Sequence, residues 1–478
     1  MTTSRRAAPL LGGVGVAAAV TTAVAAGHAY TASSVPPTRW WGLLAPGGVP
    51  AGVSSPWAVL LWAGITALSA CWLLALRAAR RGALTERQAR RLVVLSALPL
   101  VLGPPAVSRD VYAYAAQGVM LRHGLDVYGA GPAALAGVPG ADAARALAAV
   151  DARWRDSPSP YGPVTTALAR LAGAISGGDP TIGLVVFRAV AALSVGVLVW
   201  ACVSLAAPRR RTQVLVLVGL NPLVLVHALS AAHVEAPMCA LLALAVLAGR
   251  RRVWWAAIVL ACLAGLVKAP AFLAVPVVLA WHLRALDEPH RRLGRAARDV
   301  AVAVATVVAT SLAVPDGFGW LRNLGTPGGG KPSSSVTGQL AALADGVVPG
   351  GRAAVVLLGA VAALAVLVVL AAGFGDRPPA ESLGWALLAV AFLAPVTYPW
   401  YALWGLVCLL PTVRGRPLAA LVALCVVEAG LSIPGGAAVS GPLVGAVVAA
   451  SVIGLVLVDR EVRVRAASRV ANRRPVRG

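Results

Sequence analysis

Residues 353–372 read AAVVLLGAVAALAVLVVLAA, a stretch of 20 residues that contains no charged side chain. In an α-helix such a stretch extends roughly 30 Å, which is the thickness of the hydrocarbon core of a bilayer. It shows no alternation of polar and apolar residues, which a strand of a membrane barrel would require. The stretch therefore predicts a transmembrane helix, because only helices and closed barrels satisfy all backbone hydrogen bonds in lipid.

The same apolar pattern recurs along the chain. Of its 478 residues, 59% are apolar and only 12% are charged, and the mean hydropathy is +0.81. A soluble domain carries about 25% charged residues, so a water-soluble globule and a disordered chain are both excluded. The sequence predicts an all-α polytopic membrane protein of about fourteen transmembrane helices. The predicted spans are 8–28, 57–77, 92–107, 184–206, 213–231, 236–249, 253–268, 270–284, 299–314, 352–372, 383–397, 399–413, 417–434 and 440–458.

Positive charge is concentrated between alternate spans. The chain has 41 Lys and Arg against 18 Asp and Glu, a net charge of +23. In this topology, with both termini in the cytoplasm, the cytoplasmic segments hold 29 of the 41 cations. The positive-inside rule explains such a bias without a nucleic-acid partner. We expect a multi-pass protein of the plasma membrane whose basic segments 77–91, 284–299 and 459–478 contact anionic lipid.

Four regions follow from this topology. They are N-terminal transmembrane helices with a basic cytoplasmic loop (1–91), a core with outer loops at about 108–182 and 315–351 (92–413), C-terminal transmembrane helices (414–458) and a basic cytoplasmic tail (459–478). Residues 163–177 are nearly long enough to span, but a crossing there would place the arginines at 209–211 outside. This segment is therefore predicted to be an interfacial helix on the outer side.

The six cysteines all lie inside apolar runs, and none has the spacing of a CxxC motif or of a His-paired metal site. They are interpreted as small buried hydrophobic residues rather than as a disulfide framework. The first apolar run follows Arg5 and Arg6 without a convincing cleavage site. This arrangement favours a retained signal-anchor helix over a removed signal peptide.

The first outer loop opens with a helix whose polar side chains share one face. Ser108 is predicted to cap this helix, and Asp110, Tyr114 and Gln117 follow at positions i, i+4 and i+7. An Asp in a first helical turn could serve only to compensate the helix dipole. That alternative does not explain the phenol and the amide on the same face, so the face is a candidate functional site.

Two further polar positions interrupt the apolar core. His233 and Glu235 lie at the outer mouth of the bundle and could be a base, a substrate contact or a metal pair. Two ligands make a poor metal site, and a solvated turn is the simplest alternative. Lys268, one of only two lysines beside 39 arginines, lies at the turn of a helical hairpin. An ammonium at this depth would either snorkel to the surface or bind a lipid phosphate.

Aromatic and basic residues mark the later outer segments. Trp400 and Tyr401, in the segment 398–401, could form an aromatic belt at the membrane interface or stack on a sugar. Arg322 lies in the second outer loop. Glu428 falls within a predicted span, and it is left out of the candidate site because no partner can be assigned to it.

These motifs, in this order, resemble the polyprenol-phosphate-mannose-dependent α-1,6-mannosyltransferases of the GT-C class. The resemblance covers about residues 90 to 410, and the string in the first outer loop is fairly specific. The strings that carry it are Ser108-Arg109-Asp110-Val111-Tyr112, Tyr114-Ala115-Ala116-Gln117-Gly118, Leu125-Asp126-Val127-Tyr128, Pro160-Tyr161-Gly162-Pro163, Asn221-Pro222-Leu223, Leu266-Val267-Lys268-Ala269-Pro270 and Pro399-Trp400-Tyr401.

The resemblance implies a GT-C fold with an active-site cavity on the outer face. It also implies a polyprenyl-phosphate mannose donor, a lipid-linked mannan acceptor of the lipomannan type, and a catalytic Asp in the first outer loop. Asp110 is the residue that matches. Where the family would have His-Asn-Asp-Ala, this chain has His233-Val234-Glu235-Ala236, so the carboxylate is one methylene longer.

The chemistry of these residues agrees with such a transfer. A phosphate leaving group needs positive charge rather than a strong acid, and Arg109, Lys268 and Arg322 are the candidate ligands of the donor phosphate. Asp110 would take the proton of the acceptor hydroxyl as a general base. One base facing one leaving group predicts direct displacement with inversion. No metal or other cofactor is predicted.

The candidate contacts for the acceptor or the sugar are Tyr114, Gln117, His233, Glu235, Trp400 and Tyr401. Two other classes fit a chain with so many spans: a transporter, and a polysaccharide polymerase or ligase of the cell envelope. The polar residues gather at the outer mouth and no internal repeat is evident in the sequence, which favours the enzyme over a transporter. A polymerase would also use outer Arg and His, but with a lipid diphosphate.

Overall fold

A computed structural model describes residues 2–29, 56–286, 289–325 and 335–432. Within these ranges the regular structure is entirely helical. All six cysteines lie in these ranges, are buried and form no disulfide, in agreement with the sequence analysis. The α-helices are α1 Thr2–His28, α2 Pro56–Arg80, α3 Glu86–Leu102, α4 Asp110–Arg122, α5 Ala141–Ala149, α6 Pro163–Ser176, α7 Pro180–Leu205, α8 Arg211–Gly219, α9 Glu235–Arg250, α10 Trp254–Val267, α11 Ala274–Arg284, α12 Arg292–Leu312, α13 Val336–Val347, α14 Gly351–Ala372, α15 Pro379–Leu393, α16 Leu403–Leu409 and α17 Gly415–Gly430.

Among the described residues, four helices are long and apolar enough to cross a membrane: α1 from Pro9 to His28, α2, α7 and α14. A fifth candidate is the segment Pro208–Gly219 together with the π-helix Val224–Ser230, which meet at 62°. The all-helical class with several apolar spans is thus confirmed, whereas the predicted count of about fourteen is not. The predicted span at 440–458 and the tail at 459–478 lie outside the described residues.

Prolines break several of the predicted spans. The span predicted at 213–231 is divided at Asn221-Pro222 into α8 and the π-helix, because proline lacks an N–H and clashes with the preceding turn. Proline also occurs in the 3₁₀ turns Ala269–Leu273 and Pro399–Ala402, which precede α11 and α16. Irregular backbone at membrane depth is tolerated where it lines a cavity inside the protein. The breaks at 269–273 and 399–402 lie at or next to the predicted site residues Lys268, Trp400 and Tyr401.

Basic residues collect at one end of the bundle. Arg250, at the end of α9, donates a hydrogen bond to the Leu205 carbonyl at the end of α7 (2.6 Å). Arg210, which follows α7, donates to the carbonyls of residues 411–413. The other end of α9 begins at Glu235. His233 and Glu235 therefore lie at the end of α9 that is opposite to this basic cluster.

A contact between glycines sets the position of α4. The helix predicted at 163–177 is present as α6, and it crosses α4 where Gly118 faces Gly173. A Cβ atom at Gly118 would lie 2.0 Å from the Ala169 carbonyl oxygen, so only glycine permits this close approach. The crossing anchors α4, which begins at Asp110, against the bundle.

A second close contact joins the end of the proline-rich segment 157–163 to the end of α10. The Gly162 N–H donates to the Val267 carbonyl at 3.3 Å. A Cβ atom at Gly162 would lie 2.1 Å from the Leu266 carbonyl oxygen, so a larger residue would push the two segments apart. This contact brings Tyr161 next to Lys268.

Arg188 of α7 connects two of the loops that lead to the site. Its guanidinium donates to the carbonyls of Val101 (2.8 Å), Gly103 (2.5 Å) and Ser230. Gly103 is the C-cap of α3, and Ser230 is the last residue of the π-helix. Carbonyls at such helix ends have no hydrogen-bond partner within their own helix. Arg188 satisfies them, and it thereby positions the segments that lead to α4 and α9.

Candidate active site

Asp110 is the first residue of α4 and is buried, with 8% of its surface exposed. The prediction that Ser108 is the N-cap is wrong, because Arg109 occupies that position; the Ser108 hydroxyl accepts a hydrogen bond from the Asp110 backbone N–H at 3.4 Å and binds the Asp110 side chain. That hydroxyl and the Trp154 indole N–H each donate to Asp110 Oδ1 at 3.0 Å. These two bonds orient the carboxylate, and its Oδ2 lies 3.8 Å from His233 Nδ1.

His233 lies between two carboxylates. Its Nδ1 is 3.8 Å from Asp110 Oδ2 and 3.9 Å from Glu235 Oε2, and the Tyr114 hydroxyl is 3.4 Å from the same nitrogen. The imidazole stacks on Trp400, with ring centroids 4.2 Å apart and planes 25° apart. Stacking and the surrounding charge thus hold the ring between the first residues of α4 and α9.

Lys268 is buried beside Glu235 rather than extended to the surface. Its Nζ lies 2.5 Å from Glu235 Oε1, which also accepts a hydrogen bond from the Trp404 indole (3.4 Å). The ammonium lies over the rings of Tyr401 (4.3 Å), Trp404 (5.3 Å) and Tyr161 (5.7 Å). A carboxylate and three aromatic faces together stabilise a cation at this depth. The snorkelling alternative is therefore wrong.

A cavity of about 490 Å³ opens between these elements. Asp110 and Lys268 both line it, together with Trp400 and Tyr401. The two aromatic residues are only 4% and 8% exposed, so they face the cavity rather than forming a belt at the membrane surface. A volume of this size is typical of a site for a small molecule.

A smaller pocket of about 50 Å³ adjoins this cavity, because Asp110, Trp154 and Tyr161 line both. Gln117 and Tyr114 line the small pocket and not the larger cavity. The structure thus brings together the acid, the phenol and the amide that helical periodicity places on one face of α4. Asp110 stands at the boundary between the two spaces.

Two of the three predicted phosphate ligands do not line the cavity. Arg109 is buried at the N-cap of α4, where its charge acts on Asp151. Arg322 lies in an exposed 3₁₀ turn and pairs with Asp316 at 2.6 Å, so its charge is already compensated. Lys268 is the one of the three that the structure places on the cavity wall.

Three residues at the cavity have no role in the sequence predictions: Trp154, Tyr161 and Trp404. Trp404 follows Trp400 by four residues, a helical spacing that could have identified it. Trp154 and Tyr161 lie on either side of residues 157–160, the first four of the proline-rich segment. Their partners are distant in the sequence, and no local pattern predicts them.

Arg153 and Asp151 form a charged pair near Asp110. Arg153 Nε and one terminal nitrogen donate to the two carboxylate oxygens of Asp151, each at 3.0 Å. Burial raises the pKa of the Asp151 carboxyl, but the hydrogen bonds and the charge of Arg153 outweigh it and hold that pKa below its usual value. Burial likewise lowers the pKa of Arg153, yet Asp151 and, more weakly, Asp110 raise it overall. Asp151 therefore compensates the charge of Arg153, as Asp316 compensates that of Arg322, and the pair brings little net positive charge to Asp110.

Glu428 and metal binding, both considered from the sequence, do not enter this site. Glu428 is buried in α17 and does not line the cavity. In the described ranges, no group of three or more His, Cys, Asp or Glu side chains is arranged to hold a metal ion.

Comparison with known proteins identifies the family. Residues 9–284 match the family profile described as alpha-(1->6)-mannopyranosyltransferase, N-terminal domain, and residues 330–459 match that of the MptB C-terminal domain. The chain is 30% identical over 399 residues to alpha-(1->6)-mannopyranosyltransferase A of Mycobacterium tuberculosis, covering 76% of this chain and 73% of the relative. The chain belongs to the alpha-(1->6)-mannopyranosyltransferase family. The resemblance stated from the sequence motifs is thereby confirmed.

Further members of this family show similar identity. Alpha-(1->6)-mannopyranosyltransferase B of Corynebacterium glutamicum is 30% identical over 350 residues, covering 65% of this chain and 56% of the relative. A probable alpha-(1->6)-mannopyranosyltransferase of Mycolicibacterium smegmatis is 29% identical over 384 residues, covering 68% of this chain and 65% of the relative. No solved structure matches the chain significantly. The profile match at 9–284 includes Asp110, Glu235 and Lys268.

Proposed function

We propose that this protein is a GT-C glycosyltransferase that moves a mannosyl residue from polyprenyl-phosphate mannose to a lipid-linked mannan acceptor. The product would be an α-1,6 backbone of the lipomannan type. The relatives bear the name of α-1,6-mannosyltransferases, which favours this reaction over transport or polymerisation. One observation carries the proposal: among the described residues that line the cavity, Asp110 supplies the one carboxylate and Lys268 the one ammonium.

Lys268 is assigned to the phosphate of the donor. An ammonium has three N–H donors, and Glu235 accepts one hydrogen bond from it, so others can point to a phosphate in the cavity. The aromatic wall beside it suits a sugar, because Trp400 and Tyr401 offer flat apolar faces. A lipid-linked donor reaches such a cavity from the bilayer, which is consistent with the membrane-embedded site.

Asp110 is assigned the role of general base. The acceptor hydroxyl gives its proton to the Asp110 carboxylate while its oxygen forms a bond to C1 of mannose. The bond from C1 to the phosphate oxygen breaks, and the electron pair leaves with polyprenyl phosphate, whose charge Lys268 stabilises. With one base and one leaving group there is no covalent intermediate, so the configuration at C1 inverts.

Trp154→Phe tests the orientation of the base. The change keeps an aromatic ring but removes the 3.0 Å hydrogen bond to Asp110 Oδ1. A hydrogen bond to a charged group contributes roughly 1.5–3 kcal/mol, so we expect kcat to fall by about tenfold or more. Initial rates of mannosyl transfer measure the effect, and the KM for the donor should stay the same. A loss that appears only as a raised donor KM would contradict this role.

We place the cavity on the outer face of the plasma membrane, with both termini in the cytoplasm. Arg80 and Arg414 lie close enough to Arg210 for their charges to act on it, in the basic cluster opposite the start of α9. The positive-inside rule favours the cytoplasm for that end. The cavity at the other end would then open on the outer face of the membrane.

The proposed reaction is tested with purified protein in lipid vesicles. We expect radiolabelled mannose to pass from polyprenyl-phosphate mannose to a mannan lipid acceptor, and none to pass from a nucleotide-linked mannose. The product should carry an α-1,6 linkage by methylation analysis. Three results would contradict the proposal: use of the nucleotide sugar, a requirement for a lipid diphosphate donor, or movement of mannose across the vesicle membrane without a new glycosidic bond.

A further inference from the structure

A second cavity lies between α3 and α7, away from the candidate active site. Its volume is about 650 Å³, and most of its wall is apolar. It extends from Arg90 to Val101 on α3 and from Ser204 to Ala192 on α7. Eleven residues of an α-helix rise roughly 16 Å, about half the hydrocarbon thickness of a bilayer. The groove therefore matches the thickness of the acyl-chain region of one leaflet. Because Arg90 and Arg211 line one end of it, this leaflet is the one at the basic end of the bundle.

The polar end of this groove is positively charged. Arg90 and Arg211 line it together with Glu86. Arg90 pairs with Glu86 at 2.5 Å, whereas no ion pair of Arg211 occurs within the described ranges. Arg211 is also the first residue of α8, whose N-terminus has no side-chain cap. The backbone N–H of Arg211 donates to the Pro208 carbonyl of the preceding 3₁₀ turn, so the attraction for an anion comes from the guanidinium itself.

We propose that this groove binds one anionic glycerophospholipid of the leaflet at the basic end. One acyl chain would lie along α3 and α7, and the headgroup phosphate would contact Arg211 and Arg90. The acyl chain of a zwitterionic lipid would pack against the apolar wall equally well, but its neutral headgroup would leave the charge of Arg211 without net compensation. The donor lipid fits less well, because its phosphate is assigned to Lys268 at the opposite end of the bundle.

The inner end of the groove reaches the segments that position the active site. Val101 and Leu229 line it there. The Val101 carbonyl accepts a hydrogen bond from Arg188, and the same guanidinium binds the carbonyl of Ser230, next to Leu229. An acyl chain in the groove therefore packs against the residues that hold the ends of α3 and the π-helix. Its binding should stabilise these ends and, through them, α4 and α9.

Native mass spectrometry of the delipidated protein tests this proposal, with phosphatidylglycerol and phosphatidylcholine as the probes. We expect one phosphatidylglycerol to bind more tightly than phosphatidylcholine. Arg211→Gln should weaken phosphatidylglycerol binding by about fivefold and leave phosphatidylcholine unchanged. Gly196→Leu should block both lipids, because Gly196 lines the groove and a Cβ atom there meets nothing within 4 Å. Arg416→Gln is the matched control, since Arg416 carries the same charge but does not line the groove.

Three outcomes would overturn the proposal. They are equal affinity of the wild-type protein for the two lipids, unchanged phosphatidylglycerol binding in both Arg211→Gln and Gly196→Leu, and an equal loss in Arg416→Gln and Arg211→Gln. Thermal unfolding of each variant without added lipid checks that the variant is folded. Arg211→Gln removes a charge, whereas Gly196→Leu fills the groove, so the two variants test the proposal in different ways. The assay requires no mannosyl transfer, so its result is independent of the proposed reaction.

Discussion

Asp110→Asn is expected to lower mannosyl transfer by about 10²–10⁴-fold, with little change in the amount of folded protein. Asparagine has the size of aspartate, and its amide oxygen can still accept the hydrogen bonds from Ser108 and Trp154. It cannot take a proton from the acceptor hydroxyl. The loss should therefore appear in kcat at saturating polyprenyl-phosphate mannose, while the KM for the donor remains near that of the wild-type protein.

The control for this prediction is a second acid in the same stretch of chain between α3 and α7. Asp142 pairs with His123 at 2.9 Å and does not line the cavity, so Asp142→Asn should keep full transfer. Asp110→Ala should be as inactive as Asp110→Asn, because both lack a base. Normal rates in both Asp110 variants, at wild-type protein levels, would remove this residue from the mechanism.

Lys268→Met is expected to lose transfer and to lower the amount of folded protein, for two separable reasons. It removes the cation assigned to the donor phosphate, an interaction that is typically worth about 10²–10³-fold in rate. It also leaves the fully buried Glu235 as a charge without its partner, at a cost of roughly 3–5 kcal/mol. Protein level in the membrane and kcat/KM for the donor measure the two effects.

A double variant separates these two effects. Lys268→Met combined with Glu235→Gln removes both charges of the pair, so the level of folded protein should recover toward wild type. Transfer should stay low, because no cation remains for the departing phosphate. Recovery of transfer in the double variant would mean that Lys268 serves only to neutralise Glu235. A change confined to the acceptor KM would contradict the assignment of Lys268 to the donor.

Several site residues could be selected from the sequence because lipid makes polar groups costly. Asp110 stands out as an acid where an apolar span ends, and Lys268 as a rare lysine inside an apolar hairpin. Helical periodicity also places Tyr114 and Gln117 on the face of Asp110. The same reasoning also selects Arg322, which does not line the cavity. This selection fails because the pairing of Arg322 with Asp316 cannot be deduced from their spacing along the chain.

The membrane class, the helical elements and the polar face of α4 depend on hydropathy and periodicity, which are local properties that a sequence displays directly. The pairing of charges is not local. Glu235 and Lys268 are 33 residues apart, and Glu235 and Trp404 are 169 apart. Such partners meet only after proline-broken segments fold back into the bundle and glycine contacts bring the backbones together. Tertiary packing therefore decided which cation faces the cavity and which aromatic rings surround it.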